Sequence, residues 1–113
     1  MKPKEAIDYG TFSKVDMRVG RIIDVQDFPE AKKPAYKLRI YFGEDIGYKN
    51  SSAQITNYRK EELLGMNIIA VVNFPPKQVA NFISEVLVLG AITNSGVRLI
   101  QADSLSSPGD HIA

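Results

Sequence analysis

A chain of 113 residues, 44% of them hydrophobic, is long enough for one core and too short for two ordinary domains, so residues 1–113 are expected to form a single domain. Its 14 Lys and Arg nearly balance 13 Asp and Glu to a net charge of +1, which excludes the strong basic excess of an autonomous nucleic-acid binder and requires any phosphate-binding footprint to come from charges gathered on one face. The absence of cysteine excludes disulfides, thiolate nucleophiles and cysteine-ligated zinc, and no apolar run is long enough to span a bilayer, so a cytoplasmic location without membrane insertion is expected.

In chain order, Lys4 to Val15 has mixed periodicity and predicts a short helix or turn. Val15 to Phe28 (VDMRVGRIIDVQDF) alternates Val15, Met17 and Val19 against Asp16 and Arg18, the pattern of a strand, with Gly20 as the expected place for a bend or bulge. After a polar loop, Tyr36, Leu38, Ile40 and Phe42 alternate with Lys37, Arg39 and Tyr41 in the clearest strand of the chain. Gly43 to Asn50 reads as a hairpin connection to a third strand, Ser51 to Thr56. Asn57 to Gly65 predicts one or two helical turns, with Asn57 as N-cap and Gly65 as the residue that ends them. Asn67 to Phe74 and Glu85 to Ile92 are nearly continuous apolar runs flanking a Pro-Pro loop, and Gly96 to Gln101 is a short last strand.

A short helix between the third and fourth strands makes this an all-β, five-stranded OB-fold, a Greek-key barrel with short terminal extensions at 1–14 and 102–113. In that layout the binding surface lies on the second and third strands with the loops Pro29 to Ala35 and Pro75 to Ile83. Ile68 to Val72 and Val86 to Leu89 are apolar on both faces, so something must cover the outside of the barrel. A second copy of the chain, contacted in part by the terminal extensions, is the economical candidate, and an N-terminal segment folded back is the alternative.

The segments VDMRVGRIIDV, YKLRIYFG, SSAQIT, EELLG, NFPPKQ, SEVLVLGA and PGDHI, in that order from Phe12 onward, resemble the tRNA-binding domain family. Within it, uninterrupted SSAQIT, NFPPKQ and SEVLVLGA are closer to the CsaA-type export-related chaperones than to the synthetase appendages, which carry Ser-Gly-Leu-like and Ser-Glu-Gly-Met-like sequences at the third and fifth strands. The resemblance implies a homodimeric chaperone that binds unfolded or extended export precursors without turnover. Docking of tRNA by shape and phosphate contacts is the alternative.

For polypeptide binding, Phe74, Pro75, Pro76, Lys77 and Gln78 offer an aromatic ring and a stiff, low-entropy groove edge, and Asn73, Ser52 and Gln54 supply neutral hydrogen-bonding groups. For RNA, Lys37, Arg39 and Tyr41 share a strand face with two cations and an aromatic platform, Lys32 and Lys33 lie in the loop beside Pro34, and Ser84 and Glu85 head the fifth strand. An ordinary solvated face or loop is the competing account of each cation. Catalysis is not expected, because the single histidine, His111, is near the end of the sequence with no cysteine to pair with. No metal-ligand spacing and no phosphate-cradling glycine loop is present, so no cofactor is expected.

Overall fold

The alternating segments fold in the computed structural model, which describes residues 1–113, into helix α1 (Tyr9–Ser13), strands β1 (Met17–Asp27), β2 (Tyr36–Tyr41) and β3 (Tyr48–Ala53), helix α2 (Lys60–Leu63), then β4 (Asn67–Val71), β5 (Lys77–Val79), β6 (Phe82–Ser84), β7 (Leu87–Val88), β8 (Gly90–Thr93) and β9 (Gly96–Leu99). Five antiparallel strands run in the order β3-β2-β1-β4-β7, and two hairpins, β5–β6 and β8–β9, stand beside them. The sheet curls into the expected OB-type barrel, nearly closed, with β3 and β7 meeting at the seam.

Period-two alternation explains the core. Leu38, Ile40 and Phe42 from β2 and its end meet Ile22 and Val25 from β1, Ile68 and Ala70 from β4, and Val86 and Leu99. Each large aliphatic side chain buried there contributes about 1.5–3 kcal/mol. Leu63, fully buried, plugs one end of the barrel from α2. Tyr36 donates its hydroxyl to Tyr58 O at 2.8 Å, and the Tyr58 hydroxyl accepts from Leu99 N at 2.9 Å, so a buried relay ties β2 through the α2 approach to β9.

Several expectations are corrected. The bulge in β1 lies between Ile22 and Asp24 and not at Gly20. Gly20 answers a steric demand instead, since a Cβ there would come within 2.5 Å of the Phe42 ring and 2.6 Å of an Ile40 methyl. The connection after β2 is shorter than predicted, because β3 already begins at Tyr48 and the turn is Gly43 to Gly47. Arg59, not Asn57, occupies the N-cap position of α2, and the Glu62 carboxylate accepts its backbone N–H at 2.9 Å, which holds the Glu62 carboxyl below its ordinary pKa. Asn57 is used elsewhere, donating Nδ2 to Val97 O at 3.0 Å. The run from Glu85 to Ile92 is not one strand, because the chain bends at Val86 and leaves the sheet at Leu89. The Pro-Pro loop contains the β5–β6 hairpin.

Ile68, Ile69, Ala70 and Val71 are all buried within the single chain, so β4 needs neither a second copy nor a folded-back N-terminus to cover it, whereas Val72, Val88 and Leu89 are half-buried and Leu87 is exposed, so the second apolar run keeps uncovered surface. Residues 1–11 are exposed. The C-terminal segment instead lies along the barrel: Gly109 N donates to Val19 O, Val19 N to Asp110 O and Ile112 N to Met17 O, while Ala102 N donates to Asn67 O. Gly109 permits this latch with φ of 95°, and a Cβ on it would come within 2.6 Å of Phe42 O. Large apolar side chains remain exposed elsewhere, including Ile92 at 92% and Leu105 at 93%.

Candidate binding groove and sheet face

The barrel seam is sealed for part of its length and open for the rest. In the sealed part, Glu85 N donates to Asn50 O at 2.8 Å and Asn50 N to Glu85 Oε1 at 3.0 Å. Ser52 N donates to Ser84 Oγ at 3.0 Å, and buried Ser51 donates its hydroxyl to Val86 O at 3.1 Å. Lys49 Nζ lies 3.8 Å from Glu85 Oε2. Ser84 and Glu85 thus close the barrel through their side chains where a continuous backbone ladder is missing.

Beyond Ser52 and Val86 the two edges part around a cavity of about 860 Å³. Its walls are Ser52 to Ile55, Phe74 and Pro75, Lys77 to Val79 of the β5–β6 hairpin, Ser84 to Val88, and Val97 and Leu99 of β9. Ser52, Gln54, Phe74, Pro75, Lys77 and Gln78 are therefore brought together as the sequence suggested, joined by Ser84 and Glu85 from the candidate RNA set. Phe74 is 53% exposed and Leu87 49%, so the rim offers apolar surface to solvent. Pro76 stiffens the rim without lining the cavity. Asn73 lies apart from it and staples the chain after α1 to β4, accepting from Asp16 N at 3.0 Å and donating to Lys14 O at 2.8 Å. Sequence reasoning missed Ala53, Ile55, Val79, Val86, Leu87, Val88, Val97 and Leu99. For Val86 to Val88 the only signal was apolarity on both faces of a run, which fits a buried strand equally well, and the others carried none.

The second candidate is the outer face of β1, β2 and β3. Register sets three cross-strand rows on it: Arg21, Tyr41 and Tyr48; Asp24, Arg39 and Asn50; Gln26, Lys37 and Ser52. The Tyr41 and Tyr48 rings lie 4.9 Å apart, and the Arg39 guanidinium stands 5.1 Å from the Tyr48 ring while donating Nη1 to Asn50 Oδ1 at 3.2 Å. Lys37 Nζ is 5.1 Å from the Phe28 ring and 5.7 Å from Phe82, which meet edge to face at 5.6 Å. Lys37, Arg39 and Tyr41 do share a face. Tyr48, Arg21, Phe28 and Phe82 join them and were not foreseen from the sequence. Lys32 and Lys33 are exposed in the loop after β1. Three cations against the single carboxylate of Asp24 make this face locally positive on a nearly neutral protein.

No helix is long and apolar enough to cross a membrane, and no three His, Asp or Glu side chains converge as a metal site requires. The chain is similar to the crystal structure of the CsaA chaperone protein from Picrophilus torridus, at 69% identity and a TM-score of 0.93 over 96% of this chain and 100% of that one. It is similar to the chaperone CsaA of Bacillus anthracis at 44% identity and a TM-score of 0.89, again over 96% of this chain and 100% of that one. Among curated sequences, the methionine–tRNA ligase of Nanoarchaeum equitans is 36% identical over 107 residues, which are 94% of this chain and 13% of that enzyme. The chain therefore spans about an eighth of the length of that relative. Residues 17–111 match the model of the putative tRNA binding domain, and with relatives of this identity and coverage the chain belongs to the putative tRNA binding domain family.

Proposed function

We propose that the chain is a non-catalytic chaperone, acting as a cytoplasmic homodimer, that holds unfolded or extended export precursors in the seam groove. The observation that carries this reading is the groove itself: an apolar cavity, rimmed by exposed Phe74 and Leu87 and edged by the neutral groups of Ser52, Gln54 and Gln78. Such a surface suits polypeptide segments whose apolar side chains have no core yet. The likeness to two CsaA chaperones over nearly the whole chain supports it. Exposed Ile92 and Leu105 are apolar surface that a second copy would cover. The test is suppression of aggregation of an unfolded precursor. Phe74→Ala and Lys77→Ala proteins are expected to protect the client less than the parent does, and equal protection overturns the reading; a single monomeric species in sedimentation at micromolar concentration removes the dimer.

The positive, aromatic sheet face favours a second reading, binding of structured RNA such as tRNA through Lys37, Arg39 and the nearby Lys32 and Lys33. Binding that weakens steeply with salt and is lost in a Lys37→Ala, Arg39→Ala protein supports it. Binding only at very low salt and equal for both proteins overturns it.

A further inference from the structure

Taking the polypeptide-binding reading as its basis, we propose that the groove captures its client by strand addition: the client's main chain pairs with the open edge of β3 at Ser52 and with the free backbone of Gln54 in the turn that follows, so recognition is of extended backbone more than of sequence. Asn50 and the Ser52 N–H point outward from β3 and are satisfied by Glu85 and Ser84. Residues two apart on a strand point the same way, so the Ser52 carbonyl lies in that outward row; β3 then ends at Ala53, and Ile55 N donates to Ala53 O at 3.0 Å to close a tight turn whose central residue, Gln54, keeps its N–H and carbonyl free. The Ser52 carbonyl has only a 3.5 Å contact from its neighbour's hydroxyl, and the Gln54 backbone makes no hydrogen bond within the chain.

The facing wall has the same character. Leu89 N donates to Ile69 O, and Val88 lies opposite Ala70, which makes Val88 the non-bonded member of its ladder and turns its N–H and carbonyl away from β4 towards the groove. Exposed strand edges template pairing with other chains, and proteins ordinarily cover them. Here the cover supplied by Ser84 and Glu85 stops at Ser52, where the cavity begins, and the walls beyond are mostly apolar, with Gln54, Lys77 and Gln78 among them. An extended chain supplies what this slot lacks: donors and acceptors in register, with side chains directed alternately into the apolar cavity and out to solvent. A folded protein, whose backbone groups are already paired, offers none of these, so the device discriminates unfolded clients from folded ones.

The test alters the ligand and leaves the protein intact. A short end-capped peptide alternating valine and threonine is compared with two versions, one N-methylated at the odd residues and the other at the even ones. Pairing with one edge uses the amides of one parity only. One methylated peptide should therefore bind at least about tenfold more weakly while the other binds like the parent, the cost of losing one or two hydrogen bonds. The Gln54 amide should exchange with deuterium more slowly when the parent peptide is bound. Affinities equal to the parent's for both methylated peptides overturn strand addition, and equal losses for the two overturn pairing with the β3 edge alone, because a strand bonded to both β3 and Val88 would use amides of both parities. If the parent peptide still binds and Phe74→Ala still weakens it, the groove reading survives that failure. If the parent peptide and an unfolded precursor both fail to bind, the groove reading falls and takes the proposal with it.

Discussion

The β1–β2 side of the barrel and the β3–β7 seam are closed by different means. On the first side a backbone ladder runs from Arg21 opposite Tyr41 to Asp27 opposite Tyr36, interrupted only by the bulge, with Ile22, Leu38 and Ile40 packed behind it. The seam has no such ladder. Side chains of Ser51, Ser84 and Glu85 bridge it at one end, and at the other it stays apart. On the proposed reading the difference separates stability from binding: the laddered side holds the fold, and the seam keeps unpaired backbone and apolar surface available. Side-chain bridges suit that task, because they fix two edges at chosen points and leave the next residues unpaired.

The largest effect is expected on the laddered side. Gly20→Ala drives a methyl into Phe42 and Ile40, both essentially fully buried, and overpacking of that kind should cost about 3 kcal/mol in denaturant unfolding with binding unchanged in the molecules that remain folded. A loss under about 0.5 kcal/mol would mean that the ring and methyl move aside freely, and the rigidity assigned to this side would be wrong. At the seam, Ser84→Ala removes the acceptor of Ser52 N and should cost about 1 kcal/mol, less than Gly20→Ala, while measurably changing peptide affinity because the edge it secures continues into the groove. A destabilisation as large as that of Gly20→Ala would make the seam part of the structural frame and erase the contrast.

Much of the laddered side was legible in the sequence. From Tyr36 to Phe42 the alternation is faultless, so the inward set Leu38, Ile40 and Phe42 and the outward set Lys37, Arg39 and Tyr41 could be read directly. The partner row could not. Two glycines with positive φ, Gly43 and Gly47, tighten the turn so that pairing resumes at Tyr48, and that shift brings Tyr48 opposite Tyr41. The groove was half legible. Phe74 to Gln78 announced a rim through Pro75 and Pro76, but its floor comes from Ile55, Val86, Val88, Val97 and Leu99, which are distant in sequence and carry no local mark of a corner. A continuous apolar run such as Val86 to Leu89 fits a straight buried strand as well as two short pieces separated by bends. Only the tertiary pairing of Leu87 with Val71 and of Gly90 with Leu99 decides between them.

The sheet face provides a smaller test. Arg39→Gln takes one cation from a row that also contains Asp24 and Asn50, so if RNA binds there the dependence of log affinity on log salt should become shallower by roughly one unit. Peptide binding in the groove should stay as it was. An unchanged salt slope would move phosphate contact away from this face, and an equal loss of peptide affinity would merge the two surfaces into one.

The smallest effect lies at α2, away from both candidate surfaces. The Arg59 backbone N–H bonded to the Glu62 carboxylate, helped by the Arg59 charge, lowers the carboxyl's pKa in the folded chain. A carboxyl lowered on folding contributes stability that is fully present above its unfolded value and is lost as pH falls through the folded one. Thermal stability of the parent should therefore decline on acidification through and below the ordinary glutamate range. Asp8, lowered by its hydrogen bonds to Thr11, adds to that decline in every variant and so cancels in a comparison. Glu62→Gln keeps an acceptor for Arg59 N but cannot titrate, and its melting curves should show a shallower fall over the same acidic range. Because Glu62 is exposed, solvent screens the effect and the two proteins should differ only slightly at neutral pH. Parallel acid profiles for the two would show that the α2 cap contributes nothing titratable. A Glu62→Gln change that altered peptide affinity would couple the helix end to the seam and contradict the separation of frame from groove.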